Sequence, residues 1–439
     1  MASVPGLVSC VSIPGERRER YSGPRLGATK KRKVCESMKA TVDYHEFMTV
    51  IAALDRAATH DEARSVFDLV RFTVEGAKLK IDAYDGNDGV HVTLEADDVY
   101  ALEDGSAVVR LNELAPILRQ IKAGFILRIE AAGGEVWLHF GEVGHAKLSY
   151  KFLEPEERLY QFVGKIEKVF KRRERTVGFV ADAISLSHDI SCVKSAMADY
   201  ERRSIAGVHC EMEGDSVRFV ATNGRVIVEH SHVADNPEKK PDGVGFIPRQ
   251  FVRMLETLLQ AFPGAVQVGF DKDGGGINIG GVVSLVWEFE SAFPDWRGVI
   301  PTEKPVNFIE IKNVRSVGRA LGMVNRKWDR VEDEDGAMDT GCGDECVFAT
   351  DDKGGMVITG DVVVGHYCNG AVKSCWSIPV ECCGVGKEPI VIKLNPNYLR
   401  ACFENCADLG SVVMEYRGEN QPVKFCGTCA TAVVMPYRD

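Results

Sequence analysis

Two stretches, VEGAKLKIDAYDG from Val74 and MEGDSVRFVATNG from Met212, align without a gap, and this internal repeat constrains the fold more than any single motif does. Both carry a Glu-Gly pair (Gly76, Gly214), alternating apolar positions (Leu79, Ile81, Ala83; Val217, Phe219, Ala221) and a closing glycine (Gly86, Gly224). Period-two alternation interrupted by glycine predicts hairpins with one buried face.

A helical unit recurs three times, as LNELAPILRQI, IPRQFVRMLETLL and LNPNYLRACFENC. Apolar residues fall at i, i+3, i+4 and i+7: Leu114, Ile117, Leu118, Ile121; Phe251, Met254, Leu255, Leu258; Leu399, Cys402, Phe403, Cys406. That spacing gives each helix one apolar face. Alternating segments follow each unit, and further helical patterns open each third of the chain at 44–58, 180–195 and 312–325. The expectation is an α+β fold of three tandem copies, each with two helices packed on antiparallel sheets of about eight strands. The boundaries would be 38–165, 176–302 and 303–439, with EKVFKRRER as a linker and PTEKP at the second junction.

Residues 1–37 are rich in Gly, Pro, Ser and basic side chains and lack amphipathic periodicity, so they read as a disordered basic extension. Its KKRKV run (Lys30 to Val34) has the form of a nuclear localisation signal, but short basic runs are common in loose tails, where they are solvated or make weak nucleic-acid contacts. The full 439 residues exceed one ordinary core. No apolar run reaches the ~20 residues of a membrane helix, and charged ERRER occupies the place of a signal peptide's apolar segment. The chain therefore reads as intracellular and soluble, with no membrane partner. Fourteen cysteines show no regular framework, so reduced thiols are expected.

The net charge of -11 argues against nonspecific coating of nucleic acid but does not exclude a local basic face. Opposite their apolar faces, the repeated helices carry Arg119 and Lys122, Arg249 and Arg253, and Arg315 and Arg319. Arg326 and Lys327 follow just beyond. Basic residues recurring on equivalent helices suit a phosphate backbone without reading its sequence, although they also serve plain solubility.

SIAGVHCEMEGDSVRFVATNGRVIVEH, GFIPRQFVRMLETLL, FPDWRGVIP and the terminal VVMPYRD resemble segments of the bacterial DNA polymerase III beta sliding clamp, in the right order, over about residues 38–439. The resemblance implies three like domains per protomer and a head-to-tail homodimer ring around duplex DNA, helices lining the hole. It implies a non-enzymatic processivity factor without cofactor, located in the cytoplasm at the nucleoid. Its partners would be the replicative polymerase, a clamp-loader ATPase and other proteins bearing short clamp-binding peptides. Carried over by motif, the peptide groove would use Ile205, Thr222, Gly224, Ile227, Pro294, Val299, Val433, Met435, Pro436, Tyr437 and Arg438. Arg202 and Arg203 would join the DNA-facing set. Where the family has a His-Arg pair after the glycine this chain has Arg225 and Val226, and Asp439 replaces an apolar terminal residue.

Rival chemistry is a scaffold with the groove that does not encircle DNA, a thiol enzyme at CGTC (Cys426 to Cys429), or structural zinc. A zinc site would join Cys426 and Cys429 to Cys382 and Cys383, or to Cys342 and Cys346. The expectation is no metal, because Cys402 and Cys406 show cysteine used as a small apolar residue. The acidic run after Trp328 lacks EF-hand spacing. GGGINIGG lacks the Lys-Ser/Thr of a P-loop and reads as a hairpin turn.

Overall fold

The computed structural model describes residues 37–57, 69–84, 88–96, 103–121, 126–133, 135–140, 144–149, 177–199, 202, 204–233, 242–288, 292–324, 342–350, 356–367, 370–383, 390–405 and 410–437. The N-terminal extension, the EKVFKRRER segment, the acidic run after Trp328, and Gly86, Lys122, Arg203, Cys406, Arg438 and Asp439 lie outside them.

The first part of the described chain runs β1 (Met38–Asp43), α1 (Tyr44–Ala57), β2 (Leu69–Glu75), β3 (Lys78–Tyr84), β4 (Gly89–Glu95), β5 (Gly105–Arg110), α2 (Leu111–Gln120), β6 (Ile126–Ala132), β7 (Glu135–Phe140) and β8 (Gly144–Ser149). The same order follows in β9 (Val177–Asp182), α3 (Ala183–Val193), β10 (Gly207–Glu213), β11 (Ser216–Thr222), β12 (Val226–Val233), β13 (Gly243–Pro248), α4 (Arg249–Ala261), β14 (Ala265–Asp271), β15 (Gly274–Ile279) and β16 (Val283–Glu288). It recurs with one short extra strand in β17 (Asn307–Ile311), α5 (Val314–Val324), β18 (Cys342–Thr350), β19 (Met356–Tyr367), β20 (Gly370–Val380), β21 (Cys382–Cys383), β22 (Val391–Leu394), α6 (Pro396–Asn405), β23 (Val412–Tyr416), β24 (Val423–Cys426) and β25 (Ala430–Val434). The helices fall where the apolar spacing puts them, and all the pairing is antiparallel.

The repeat extends to single hydrogen bonds. Glu75 faces Lys78 and Glu213 faces Ser216, so each hairpin closes over two residues with glycine first, Gly76 at φ 58° and Gly214 at φ 60°. A side chain is disfavoured at that backbone angle. Each of these glycine amides donates to an aspartate just before the fifth strand of its series: Gly76 to Asp104 (2.9 Å) and Gly214 to Asp242 (2.7 Å). Asp43 and Asp182 likewise accept amides in the first turns of α1 and α3.

Helix aromatics pack on strand aromatics in all three series: Phe47 with Phe72, Phe251 with Trp287, and Phe403 with Phe425, at centroid separations of 5.5, 4.9 and 5.6 Å. These six side chains are almost fully buried. Each such pair adds about 0.5–1.5 kcal/mol beyond its buried area.

Sorted by position in the series, the strands make two kinds of four-stranded unit. Those between the two helices give β5-β2-β3-β4, β13-β10-β11-β12 and β22-β18-β19-β20. The others give β1-β6-β7-β8, β9-β14-β15-β16 and β17-β23-β24-β25, the last extended by β21. A seam between β4 and β16 fuses two units into an eight-stranded sheet, and a seam between β12 and β25 fuses two more into a nine-stranded one. Two four-stranded sheets remain, ending at β8 and at β20. The helices adjoin in one series, α2–α1–α4–α3–α6–α5. Among the described residues no helix is long and apolar enough to cross a membrane.

One expectation fails here. Gly274–Ile279, read as a turn, is the strand β15, and the turn is Gly280–Gly281 after it. Glycine is needed at 275 because the Trp287 indole lies over it: a Cβ on Gly275 would sit 2.4 Å from the ring. Gly275→Ala is therefore expected to destabilise the chain by about 1–3 kcal/mol, as overpacking does. Urea unfolding measures this, with Gly322→Ala, which meets only ordinary contact, as the comparison.

Candidate functional site

The groove expected from the sequence is organised by the turn between β11 and β12. Asn223 Oδ1 accepts the amides of Arg225 (2.9 Å) and Val226 (3.1 Å). The Thr222 hydroxyl donates to the Val226 carbonyl (2.7 Å) and accepts the Gly224 amide (3.0 Å), and Gly224 sits at φ 89°. The turn's side chains thus satisfy its own backbone and free β12 to pair outward.

β25 pairs with β12 so that Val433 lies opposite Ile227 and Val434 opposite Val226. Past the strand, the Met435 amide donates to the Arg225 carbonyl (2.9 Å) and the Tyr437 amide to the Lys393 carbonyl (3.0 Å). Asn395 donates to the Tyr437 hydroxyl (2.9 Å). Pro436 between them is buried and Met435 half-buried. The tail is thereby tied at both ends of its apolar run.

The segment 292–300 covers this junction. Phe293, Trp296 and Ile300 pack with Val220 and Ile227, leaving Pro294 exposed and Val299 47% exposed. Ile205 is buried in a neighbouring turn in which its amide donates to Arg202 (3.0 Å). The Arg202 guanidinium donates to the Asn223 carbonyl (2.9 Å). The described groove residues therefore come from four chain segments that meet around β12.

Sequence reasoning missed what holds the covering segment down. Glu211, buried on β10, accepts the Trp296 indole N–H (2.8 Å) and a two-pronged contact from Arg297. The Arg297 guanidinium also lies over the Trp296 ring, 4.7 Å from its centroid. His209, two residues along the same face of β10, approaches Glu211 (3.2 Å) and stacks on Phe293 with centroids 4.6 Å apart. Burial alone would raise the Glu211 pKa, but the hydrogen bonds from Trp296 and Arg297 outweigh it and hold the carboxyl below its usual value. Burial pushes His209 down, only partly opposed by Glu211. The alternation of β10 gave these two residues a face, and FPDWRGVIP gave the segment. Only the fold joins them.

The basic residues divide. Arg315 and Arg319 are exposed on α5, and Arg253 is half-buried on α4. Arg119 is exposed on α2 and pairs with Asp55 of α1. Arg249 is drawn inward, donating to the Met197 and Ala198 carbonyls with Asp199 3.5 Å away. That engagement makes it a clasp between α4 and the loop after α3, and Arg202 is committed to the groove turn.

At CGTC, the Gly427 amide donates to Ala430 (2.8 Å), closing a hairpin between β24 and β25. Burial and then Glu415, which accepts from the Cys426 thiol (3.5 Å), push that thiol's pKa up, the opposite of what a reactive thiolate needs. The exposed Cys383 thiol donates to Glu310 (3.1 Å). Among the described residues, no group of three or more potential metal ligands includes Cys382, Cys383, Cys426 or Cys429.

The pH dependence of the Glu211 cluster follows from these directions. Glu211, depressed in the folded chain, contributes stability that is present above its unfolded pKa and lost as pH falls through the folded one. His209, also depressed, takes up its proton less readily when folded, so below its ordinary 6.5 the unfolded chain is the more protonated of the two. Both effects lower stability in acid. Glu211→Gln is expected to cost on the order of 2 kcal/mol at neutral pH and to flatten the acid limb of a Tm-against-pH curve. An unaltered limb would remove Glu211 from it.

No protein-family model matches this chain, and no curated protein sequence matches it. Solved structures do match. The DNA polymerase III beta subunit of Thermotoga maritima is 17% identical, aligned over 92% of this chain and 100% of that one, with a TM-score of 0.65. The Pseudomonas aeruginosa sliding clamp bound to griselimycin is 17% identical over the same shares, at 0.67. The Streptococcus pyogenes beta subunit is 13% identical over 91% and 100%, also at 0.67. Over nine-tenths of its length, this chain has the fold of the DNA polymerase III beta sliding clamps.

Proposed function

We propose that the protein is a sliding clamp, a non-catalytic ring closed head to tail by two copies around duplex DNA, which tethers a replicative polymerase and other DNA-processing proteins. Its three like domains are 38–165, 176–302 and 303–439. The observation that carries this reading is the pattern of seams. The unit of the first series joins the second through β4 and β16, and that of the second joins the third through β12 and β25. By the same rule β20 of the third series calls for β8 of a first, and among the described residues both are bare edges. A bare edge is a template for another strand, and a second copy supplies it at each end.

The helix series α2–α1–α4–α3–α6–α5, bearing Arg119, Arg253, Arg315 and Arg319, would line the hole. Contacts of that kind hold a duplex without reading it and let it slide. The groove around Thr222, Gly224, Ile227, Pro294, Val299, Val433 and Met435 would take short apolar peptides. The half-exposed Met435 and Val299 offer adaptable surface on a floor fixed by β12. With no NTPase motif in the sequence, ring opening falls to a separate clamp-loader ATPase.

Light scattering should give a particle near twice the 48.2 kDa chain mass that is retained on circular DNA and lost when the circle is cut. A proline at Ala146 or Lys147, adjacent positions of β8 whose amides point opposite ways, should return the monomer for the outward-facing one. A wild-type monomer across a dilution series would favour the scaffold that does not encircle DNA.

Val299→Asp should weaken a fluorescent clamp-binding peptide at least ~10-fold, about 1.4 kcal/mol, with mass and DNA retention unchanged. Unchanged affinity would take Val299 out of the groove.

A further inference from the structure

On the helix-facing side of β12, opposite the face that carries Ile227, His230 meets two residues one turn apart on α3, His188 and Cys192. One potential ligand atom from each lies within 4.8 Å of the other two. The Cys192 sulfur and His188 Nε2 are 3.6 Å apart, and the His188 and His230 rings meet edge to face at 5.6 Å. Cys192 and His230 are more than nine-tenths buried, whereas His188 is exposed.

Asp189, which is 1% exposed, lies 3.0 Å from His230 Nε2, and its carboxylate can only accept there. That contact puts a proton on Nε2. His230 Nδ1, buried without a hydrogen-bond partner, is then left as a bare lone pair. A protonated Nδ1 would be a buried donor with nothing to donate to, costing about 1–3 kcal/mol. The other Asp189 oxygen also lacks a hydrogen bond, and His232 stands 3.6 Å from it. A carboxylate behind an imidazole whose far nitrogen is free is the arrangement that orients a metal-binding histidine.

We infer that His188, Cys192 and His230 bind a divalent transition-metal ion of the zinc class, with Asp189 orienting His230. Two imidazoles and a thiolate suit a borderline-soft tetrahedral ion. Bond lengths of about 2.3 Å to sulfur and about 2.0–2.1 Å to nitrogen set neighbouring ligand atoms about 3.5 Å apart, close to the Cys192–His188 separation. His188, on the surface, can turn to close the remaining gap, and the fourth position opens to solvent for water or an outside ligand. Binding releases the Cys192 proton to solvent. The ion would pin α3 to the strand that floors the groove, and this inference stands whether or not the chain encircles DNA.

The test uses the full chain, stripped with chelator and titrated with cobalt(II) and then zinc. The expected result is one equivalent of tetrahedral cobalt with a thiolate charge-transfer band, displaced by zinc, and a zinc-dependent rise in Tm. Cys192→Ser should remove the charge-transfer band. His188→Ala, at an exposed position that leaves folding intact, should weaken the metal at least ~10-fold, and Asp189→Asn should act in the same direction. No saturable binding would overturn the inference. So would a cobalt spectrum and affinity unchanged in both Cys192→Ser and His188→Ala, which would place the ion among others of the 14 cysteines.

Discussion

Backbone amides and carbonyls along the side of a strand must be paired, hydrated or covered, and in this chain the organisation of the sheets follows from that need. Each four-stranded unit is too small to hide its edge, so units from successive series fuse along β4–β16 and β12–β25. Everything assigned to the groove is a by-product of the second seam. The β11–β12 turn must satisfy itself locally, the last strand must be held in register, and a covering segment must close over the junction.

β12 serves two purposes because a strand has two faces. Ile227 points into the cluster with Val220 and Trp296, while Val226, Val228 and His230 point towards α3 and the main core. Likewise, β10 sets Val208 and Cys210 in the core and gives His209 and Glu211 to the segment 292–300. Strands buried on both sides have no polar face for water, so polar side chains there must find partners within the protein, as Glu211 and His230 do.

How much of this was legible depended on range. Helices were readable because their apolar spacing is local, and the hairpins because glycine must sit at Gly76 and Gly214. The groove's membership was carried by resemblance to a family, since Ile227 and Val433 have no local sign of lying opposite one another. Glu211 and Arg297 could not be joined by pattern at all. The helical arginines were the weakest case, because spacing reports a face and not a partner: Arg249 sits on the expected helix yet spends its guanidinium on the carbonyls of Met197 and Ala198. The Gly274–Gly276 run of β15 misled because its composition is that of a turn, although Gly275 is there to give way to an indole.

The two seams also differ in when they can form. A chain made from its N-terminus completes β12 long before β25 exists, so Val226 waits for Val434 with its outer edge uncovered. Contacts between distant parts of a chain bear the largest closure entropy and form late, and an edge left open meanwhile invites pairing with other nascent chains. The self-contained turn at Thr222–Val226 bears on this interval, because its bonds need nothing made later and can hold β11 and β12 in register while they wait. Protein made too fast, or cut short before β25, would leave that register intact and its edge bare.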